Sequence, residues 1–279
     1  MTARTDSQVQ PCASTQDLFR LDHHVAIVTG AAGLLGEQHA LALADVGANV
    51  VLVDRDVDTC QKRAREIVEH GQVKASALSC DVTKKSSWED VLQQVLSQYG
   101  RVDVLVNNAG YTTQSRSKNY DRGFLEFPLE DWNQILEVNL TGTFLGCQVI
   151  GSEMIRQRSG SIVNLASLYG VVSPNHRLYP DTGIHQPAAY SVSKAGVLGL
   201  TRYLATLWAD HKVRVNCITP GGVDNGHPEL FATRYGSLCP SSRMARPDEM
   251  RGALVYLASS ASSYCTGHNL VVDGGWTAW

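Results

Sequence analysis

"VAIVTGAAGLLGEQHALALADVGANVVLVDRD", residues 25–56, decides how this chain folds. A β-branched apolar run leads into glycines at 30, 33 and 36. An amphipathic stretch follows and stops at Gly47, and a second apolar run ends in Asp54. Apolar runs without alternation suit strands covered on both faces, and a glycine just past an amphipathic stretch suits a helix end. The unit therefore reads strand, glycine turn, helix, strand, acid. The glycines let the backbone turn sharply and approach a ligand closely. The helix beginning beyond them offers unpaired N–H groups and a partial positive charge to a pyrophosphate. We expect Gly30, Gly33, Leu35 and Gly36 to cradle a dinucleotide, with Asp54 accepting from its ribose hydroxyls. A 2′-phosphate beside Asp54 would be repelled, which favours NAD(H) over NADP(H). Arg55 offers the opposite chemistry, since its guanidinium can hold that phosphate or stack on the adenine.

The same alternation continues down the chain. Further strand candidates are "KASALSCDV" near 74, "VDVLVNNAG" near 102, "SIVNLAS" near 161, "VRVNCITPG" near 213 and "NLVVDGG" near 269, with helical patterns such as "SWEDVLQQVLSQYG" between them. Alternating β and α predicts an α/β fold, a single doubly wound parallel sheet of about seven strands with helices on both faces. There is no internal linker or repeat. We read residues 1–20 as a flexible N-terminal extension and 21–279 as one domain. Among 279 residues, 43% apolar, 24 basic and 27 acidic residues leave a net charge of −3 with no long run of either sign. That balance excludes nucleic-acid and anionic-membrane partners. No apolar segment approaches the roughly 20 residues that span a bilayer, and the polar N-terminus lacks a secretory apolar run. Seven scattered cysteines without a C-x-x-C pair predict reduced thiols in a cytoplasm, and nine histidines without ligand spacing predict no metal site.

"YSVSK", residues 190–194, opens the longest helical pattern and sets Tyr190 and Lys194 on one helical face, one turn apart. With "TGAAGLLG", "CDVT", "NNAG", "EVNLTG", "ASLYG", "NCITPGG" and "VVDGGW" in this order, the chain resembles the short-chain dehydrogenase/reductases from about residue 22 to its end. The resemblance implies that Tyr190 exchanges a proton with a substrate hydroxyl while a hydride passes to or from the nicotinamide. A free phenol has a pKa of about 10, and the resemblance gives Lys194 the task of favouring the phenolate. It implies that Ser167 donates to the substrate oxygen and that Asn139 holds a water relaying protons to the lysine. It also sets Asp81 and Val82 near the adenine, Asn108, Ala109 and Gly110 under the cofactor, and Pro220, Gly221 and Val223 near the carboxamide.

Three features depart from the family pattern. The glycines read T-G-x-x-G-x-x-G, with Leu34 where a glycine is usual, a spacing more typical of nucleotide-sugar epimerases and dehydratases. Ser167 and Tyr190 stand 23 positions apart, and the segment after "NNAG" is long. Both insertions fall at carboxyl ends of strands, where open α/β sheets bind ligands. One holds Tyr169, His176, Arg177, Tyr179, Asp181 and His185, the other Arg116, Lys118 and Arg122. From these we expect substrate contacts at Ser167, Tyr169, His176 and Arg177, and a hydroxyl-rich or anionic substrate. The segment from 221 to 250 is a candidate lid.

The whole is similar to sugar-pathway oxidoreductases of the family, including legionaminic-type and gluconate 5-dehydrogenase-like enzymes. The expected function is interconversion of a secondary alcohol and a ketone with NAD, NADP less so, on a sugar-like or polyol substrate. The alternatives are a nucleotide-sugar epimerase or dehydratase, a 3-oxoacyl-type carbonyl reductase, and a non-catalytic dinucleotide-binding protein. A serine hydrolase is excluded because no G-x-S-x-G elbow surrounds Ser167. Apolar helices near 132–157 and 190–208 are expected to pair between subunits in a homodimer or homotetramer.

Overall fold

Each of the seven apolar runs is a strand: β1 (Val25–Thr29), β2 (Asn49–Asp54), β3 (Ala75–Ser79), β4 (Val104–Asn107), β5 (Gly160–Leu165), β6 (Val213–Pro220) and β7 (Asn269–Val272). They form one parallel sheet in the order β3-β2-β1-β4-β5-β6-β7. The computed structural model describes residues 14–71, 73–111 and 123–279. Helices α1 (Thr15–Leu18), α2 (Leu34–Asp45), α3 (Val57–His70), α4 (Lys85–Tyr99) and α5 (Leu129–Leu136) are followed by α6 (Gly142–Gln157), α7 (Ala188–Leu207), α8 (Glu229–Leu238) and α9 (Arg251–Ala258).

The apolar runs lack alternation because both faces of the sheet are covered. In β1, Ala26 and Val28 pack with Leu43, Ile67 and Leu254 from α2, α3 and α9. Val25 and Ile27 point the other way, toward Trp88, Val91, Ile150, Met154 and Leu204 from α4, α6 and α7. Burying apolar side chains on both sides of every central strand is what holds the sheet together. A third cluster, Leu168, Leu178, Phe231, Tyr235, Met244 and Trp276, gathers α8 and the loops after β5 and β6 into a separate apolar unit. Of the stretch read as an extension at 1–20, residues 15–18 form α1, and the Ser260 hydroxyl donates to the Leu18 carbonyl at 2.9 Å. Residues 1–13 lie outside the described residues.

From β1 the chain winds outward through β2 and β3, then returns to lay β4 on the other side of β1. The carboxyl ends of β1 and β4 diverge at this reversal and leave a crevice. One threonine stitches its floor. The Thr29 hydroxyl accepts the N–H groups of Asn108 and Ala109, both at 3.0 Å, and donates to the Val106 carbonyl at 3.2 Å.

No helix among the described residues is long and apolar enough to cross a membrane. Nor do they contain a group of three or more His, Cys, Asp or Glu side chains placed to hold a metal.

Candidate active site

The crevice opens into a cleft of about 540 Å³ running from the first glycine turn to α8 and Met244. Gly30, Gly33, Leu35, Asp54, Asn108, Gly110, Ser167, Tyr169, Tyr190, Lys194, Pro220, Gly221 and Val223, all expected from the sequence, line it. At its first end the turn is drawn tight. Gly30 has φ +64°, and a Cβ on Gly36 would stand 2.1 Å from the Gly30 carbonyl oxygen, so only glycine allows α2 to start this close to the strand. Gly33 caps α2 with no side-chain bond, leaving the helix N-terminus open. Asp54, at the end of β2, accepts the Ala32 N–H at 3.1 Å and thereby fixes the acid against the turn. Its carboxylate keeps further lone pairs for a diol. A glycine turn braced through its carbonyls by Arg63 and Asn108, a helix N-terminus with no side-chain cap and a carboxylate beside it fit a dinucleotide's pyrophosphate and ribose.

The other cofactor candidates are placed differently. Gly36 lies within α2, and Ala109 is tied to Thr29. Asp81 accepts the N–H and hydroxyl of Thr83 at 3.1 and 2.7 Å, and Val82 packs where a Cβ on Gly142 would meet it at 2.9 Å. Arg55 is exposed on the surface, close enough to Asp81 to help hold that carboxyl below its usual range. Neither Arg55, Asp81 nor Val82 belongs to the cleft wall. The Asn108 amide donates to the carbonyls of Thr29 at 2.9 Å and Gly30 at 3.2 Å, so this side chain braces the turn.

At the second end, Ser167, Tyr190 and Lys194 converge. Ser167 closes β5 and caps a short turn, its Oγ accepting the Tyr169 N–H at 3.2 Å. That turn lies directly on α7, since a Cβ on Gly170 would come within 2.8 Å of the Lys194 backbone. The residues between Ser167 and Tyr190 fold back onto the cleft, where Tyr179, Ile184 and Gln186 line it beside the pair. Ser167 and Tyr190 line the same cleft, and Lys194 Nζ stands 5.8 Å from the centre of the Tyr190 ring. Lys194 is only 5% exposed, and its Nζ donates to the Leu165 carbonyl at 2.8 Å. Burial lowers its pKa to about 8. Burial also dominates at Tyr190 and pushes the phenol up, with the Ser167 hydrogen bond pulling the other way. Desolvation of this kind favours the neutral phenol.

Asn139 sits in a π-helical turn (Glu137–Thr141) between α5 and α6 and is fully buried. Its Oδ1 accepts the Tyr111 N–H at 2.5 Å, and its Nδ2 donates to the Tyr111 carbonyl at 3.2 Å and the Ser193 hydroxyl at 3.1 Å. The side chain is thus occupied as a clamp on the backbone beside Gly110. A Cβ on Gly110 would stand 3.6 Å from both Asn139 Oδ1 and Lys194 Nζ.

His176 and Arg177, expected as substrate contacts, form a short exposed turn beside the buried Leu178 and are not among the residues that line the cleft. Arg116, Lys118 and Arg122 lie outside the described residues. In their place the substrate end is walled by Tyr179, Ile184, Gln186, Asn225, His227, Phe231, Tyr235 and Met244. The Tyr179 hydroxyl donates to the Tyr169 hydroxyl at 2.6 Å, and the His227 ring stacks on Phe231 at 5.2 Å. Tyr235 accepts the Gly222 N–H at 2.7 Å and stacks on Trp276 at 4.4 Å, joining α8 to the cofactor segment after β6. Tyr179 stood in the insertion and Asn225 to Met244 in the candidate lid, while Gln186 carried the signal of preceding Pro187, which caps the helix carrying Tyr190.

A family model described as enoyl-(acyl carrier protein) reductase matches residues 30–277. The chain is 35% identical over 275 residues to the NADP-dependent mannitol dehydrogenase of Alternaria alternata, covering 96% of this chain and 97% of that one. It is 37% identical over 265 residues to the D-threitol dehydrogenase of Mycolicibacterium smegmatis, covering 93% and 95%. The crystal structure of a short-chain type dehydrogenase/reductase from Mycobacterium marinum superposes with a TM-score of 0.85 at 34% identity, covering 96% of this chain and 100% of that one.

Proposed function

The chain belongs to the short-chain dehydrogenase/reductase family, and on that premise we propose that it oxidises a secondary alcohol of a polyol to the ketone, and reverses the step, with Tyr190 as acid and base. The observation that carries this reading is the meeting of Ser167, Tyr190 and Lys194 in one cleft with the glycine turn and Asp54. The mannitol and threitol dehydrogenases among its relatives support a polyol as substrate.

A dinucleotide held by the Gly30 and Gly33 turn and Asp54 would supply the hydride acceptor. The chain's residues handle the proton and the positioning. Ser167 donates to the carbinol oxygen, and Tyr190 Oη takes its proton as the carbonyl forms. In the reverse direction a phenol kept neutral by burial is ready to give that proton back. Lys194, its amine held by the Leu165 carbonyl, provides the nearby cation that makes the phenolate tolerable when it forms. Asn139 positions the backbone at Tyr111 next to the Gly110 floor.

NAD is the proposed cofactor, on the ground that Asp54 lies against the turn where a 2′-phosphate would come. The NADP dependence of the mannitol relative is the counter-case, with Arg55 as the residue able to supply it. Exposed Phe144, Val192, Tyr203 and Leu207 on α6 and α7 support a homodimer or homotetramer built on those helices, and a cytoplasmic setting accords with the sequence reading. The decisive test is Tyr190→Phe. It should keep dinucleotide binding and lose at least about a hundredfold in kcat on polyols; near-normal turnover excludes the role.

A further inference from the structure

Gln186 stands immediately before Pro187, the residue that caps α7, and lines the same cleft as Ser167 and Tyr190. Its Nε2 is buried and has no hydrogen-bond partner. A carboxamide nitrogen carries two N–H donors. Burying them unpaired is unfavourable unless something entering the cleft accepts from them. Other polar groups of the cleft have partners already. The Tyr179 hydroxyl is bonded to that of Tyr169, the Ser167 hydroxyl oxygen accepts the Tyr169 N–H, and Lys194 donates to the Leu165 carbonyl. The first two pairs can exchange partners with a substrate, but Ser167 and Tyr190 both serve the oxygen at the reacting carbon. Gln186 is left as an unspent donor in the wall, four positions ahead of Tyr190, free to address a different oxygen.

We propose that Gln186 is a specificity residue. Its Nε2–H donates to a hydroxyl oxygen neighbouring the reacting carbinol, so that the site selects vicinal polyols over simple secondary alcohols. This rests on the oxidoreductase reading above. A pocket that hydrogen-bonds a substrate hydroxyl rejects the analogue lacking it more strongly than an apolar pocket can, because the protein group is then stranded.

The test compares D-mannitol, D-threitol, 2,3-butanediol and 2-butanol as substrates of the wild type, Gln186→Met and Gln186→Glu. Met keeps the length and removes the donor, and Glu keeps the shape and replaces the donor with an acceptor. The last two compounds differ only by the vicinal hydroxyl. The wild type should favour the diol over 2-butanol by at least about tenfold in kcat/KM. Both variants should shrink that ratio by about tenfold, mainly through KM of the hydroxyl-rich substrates, with dinucleotide affinity retained. A wild type that treats diol and 2-butanol alike overturns the proposal without any variant. Variants that bind dinucleotide but keep the wild-type ratio also overturn it, while polyol oxidation by the wild type leaves the oxidoreductase reading standing. A wild type that oxidises none of the four compounds removes both.

Discussion

Replacing Lys194 with Met should make the dinucleotide-free protein more stable at neutral pH while removing its activity. The ammonium is 5% exposed and its pKa is lowered from 10.5 to about 8. A displacement of that size corresponds to about 3 kcal/mol of penalty on the charged form, at about 1.4 kcal/mol per unit. Because the folded-state value lies below the unfolded one, the penalty is fully present below pH 8. It fades as pH rises from about 8 toward 10.5, where the unfolded chain still holds the proton and the folded chain does not. Met fills much the same volume as the lysine stem but strands the Leu165 carbonyl, a loss of about 1–2 kcal/mol. The variant should therefore gain about 1–2 kcal/mol at pH 7, and that advantage should shrink by about 3 kcal/mol and reverse by pH 10.5. Urea unfolding of both proteins at equal protomer concentration, repeated across this pH range, measures the difference. The subtraction cancels every group whose titration the substitution does not touch. A difference that stays flat from pH 7 to pH 10.5 refutes the buried, charged lysine on which the reasoning depends.

Two further outcomes follow from the glycine turn and its acid. Asp54→Asn removes the charge but keeps an acceptor for Ala32, so NADH affinity should fall about tenfold and NADPH affinity should rise. Fluorescence titration with both dinucleotides checks this, and an unaltered preference contradicts the proposed cofactor choice. Gly36→Ala drives a methyl group onto the Gly30 carbonyl. Thermal unfolding should report a loss of about 1–3 kcal/mol and calorimetry a weakened dinucleotide; wild-type values for both would mean that the turn is looser than described.

The strands were legible because a two-sided sheet needs side chains of one character on both faces, and Val25–Val28 or Val50–Val53 can satisfy no other surface. Asp54, Tyr190 and Lys194 were legible for a related reason: strand ends and helical spacing fix where a side chain points before any packing is known. Loops carry no such period. His176 and Arg177 looked like substrate contacts from their chemistry, yet Leu178, at 0% exposure, decides how that turn sits and leaves its neighbours outside. Gln186 and His227 went unnoticed because their value lies in what surrounds them, an unpaired amide nitrogen and a stacked Phe231. The 23-residue spacing from Ser167 to Tyr190 departs from the family pattern, yet both line one cleft, and Tyr179, Ile184 and Gln186 from the added residues line it with them.

Residues 129–157 form one uninterrupted rod in which the turn at Glu137–Thr141 is wound wider than its flanks. Each residue of an ordinary helix advances the azimuth by about 100°, so the surplus residue in such a turn shifts the phase of all that follows. The Thr143 hydroxyl donates to the Asn139 carbonyl at 2.8 Å. Removing any one residue there would leave a more regular cylinder, yet it would swing Cys147, Ile150 and Met154 off the face they share with Trp88 and turn Asn139 away from Tyr111. An imperfection in winding is thereby made irreversible by everything threaded after it.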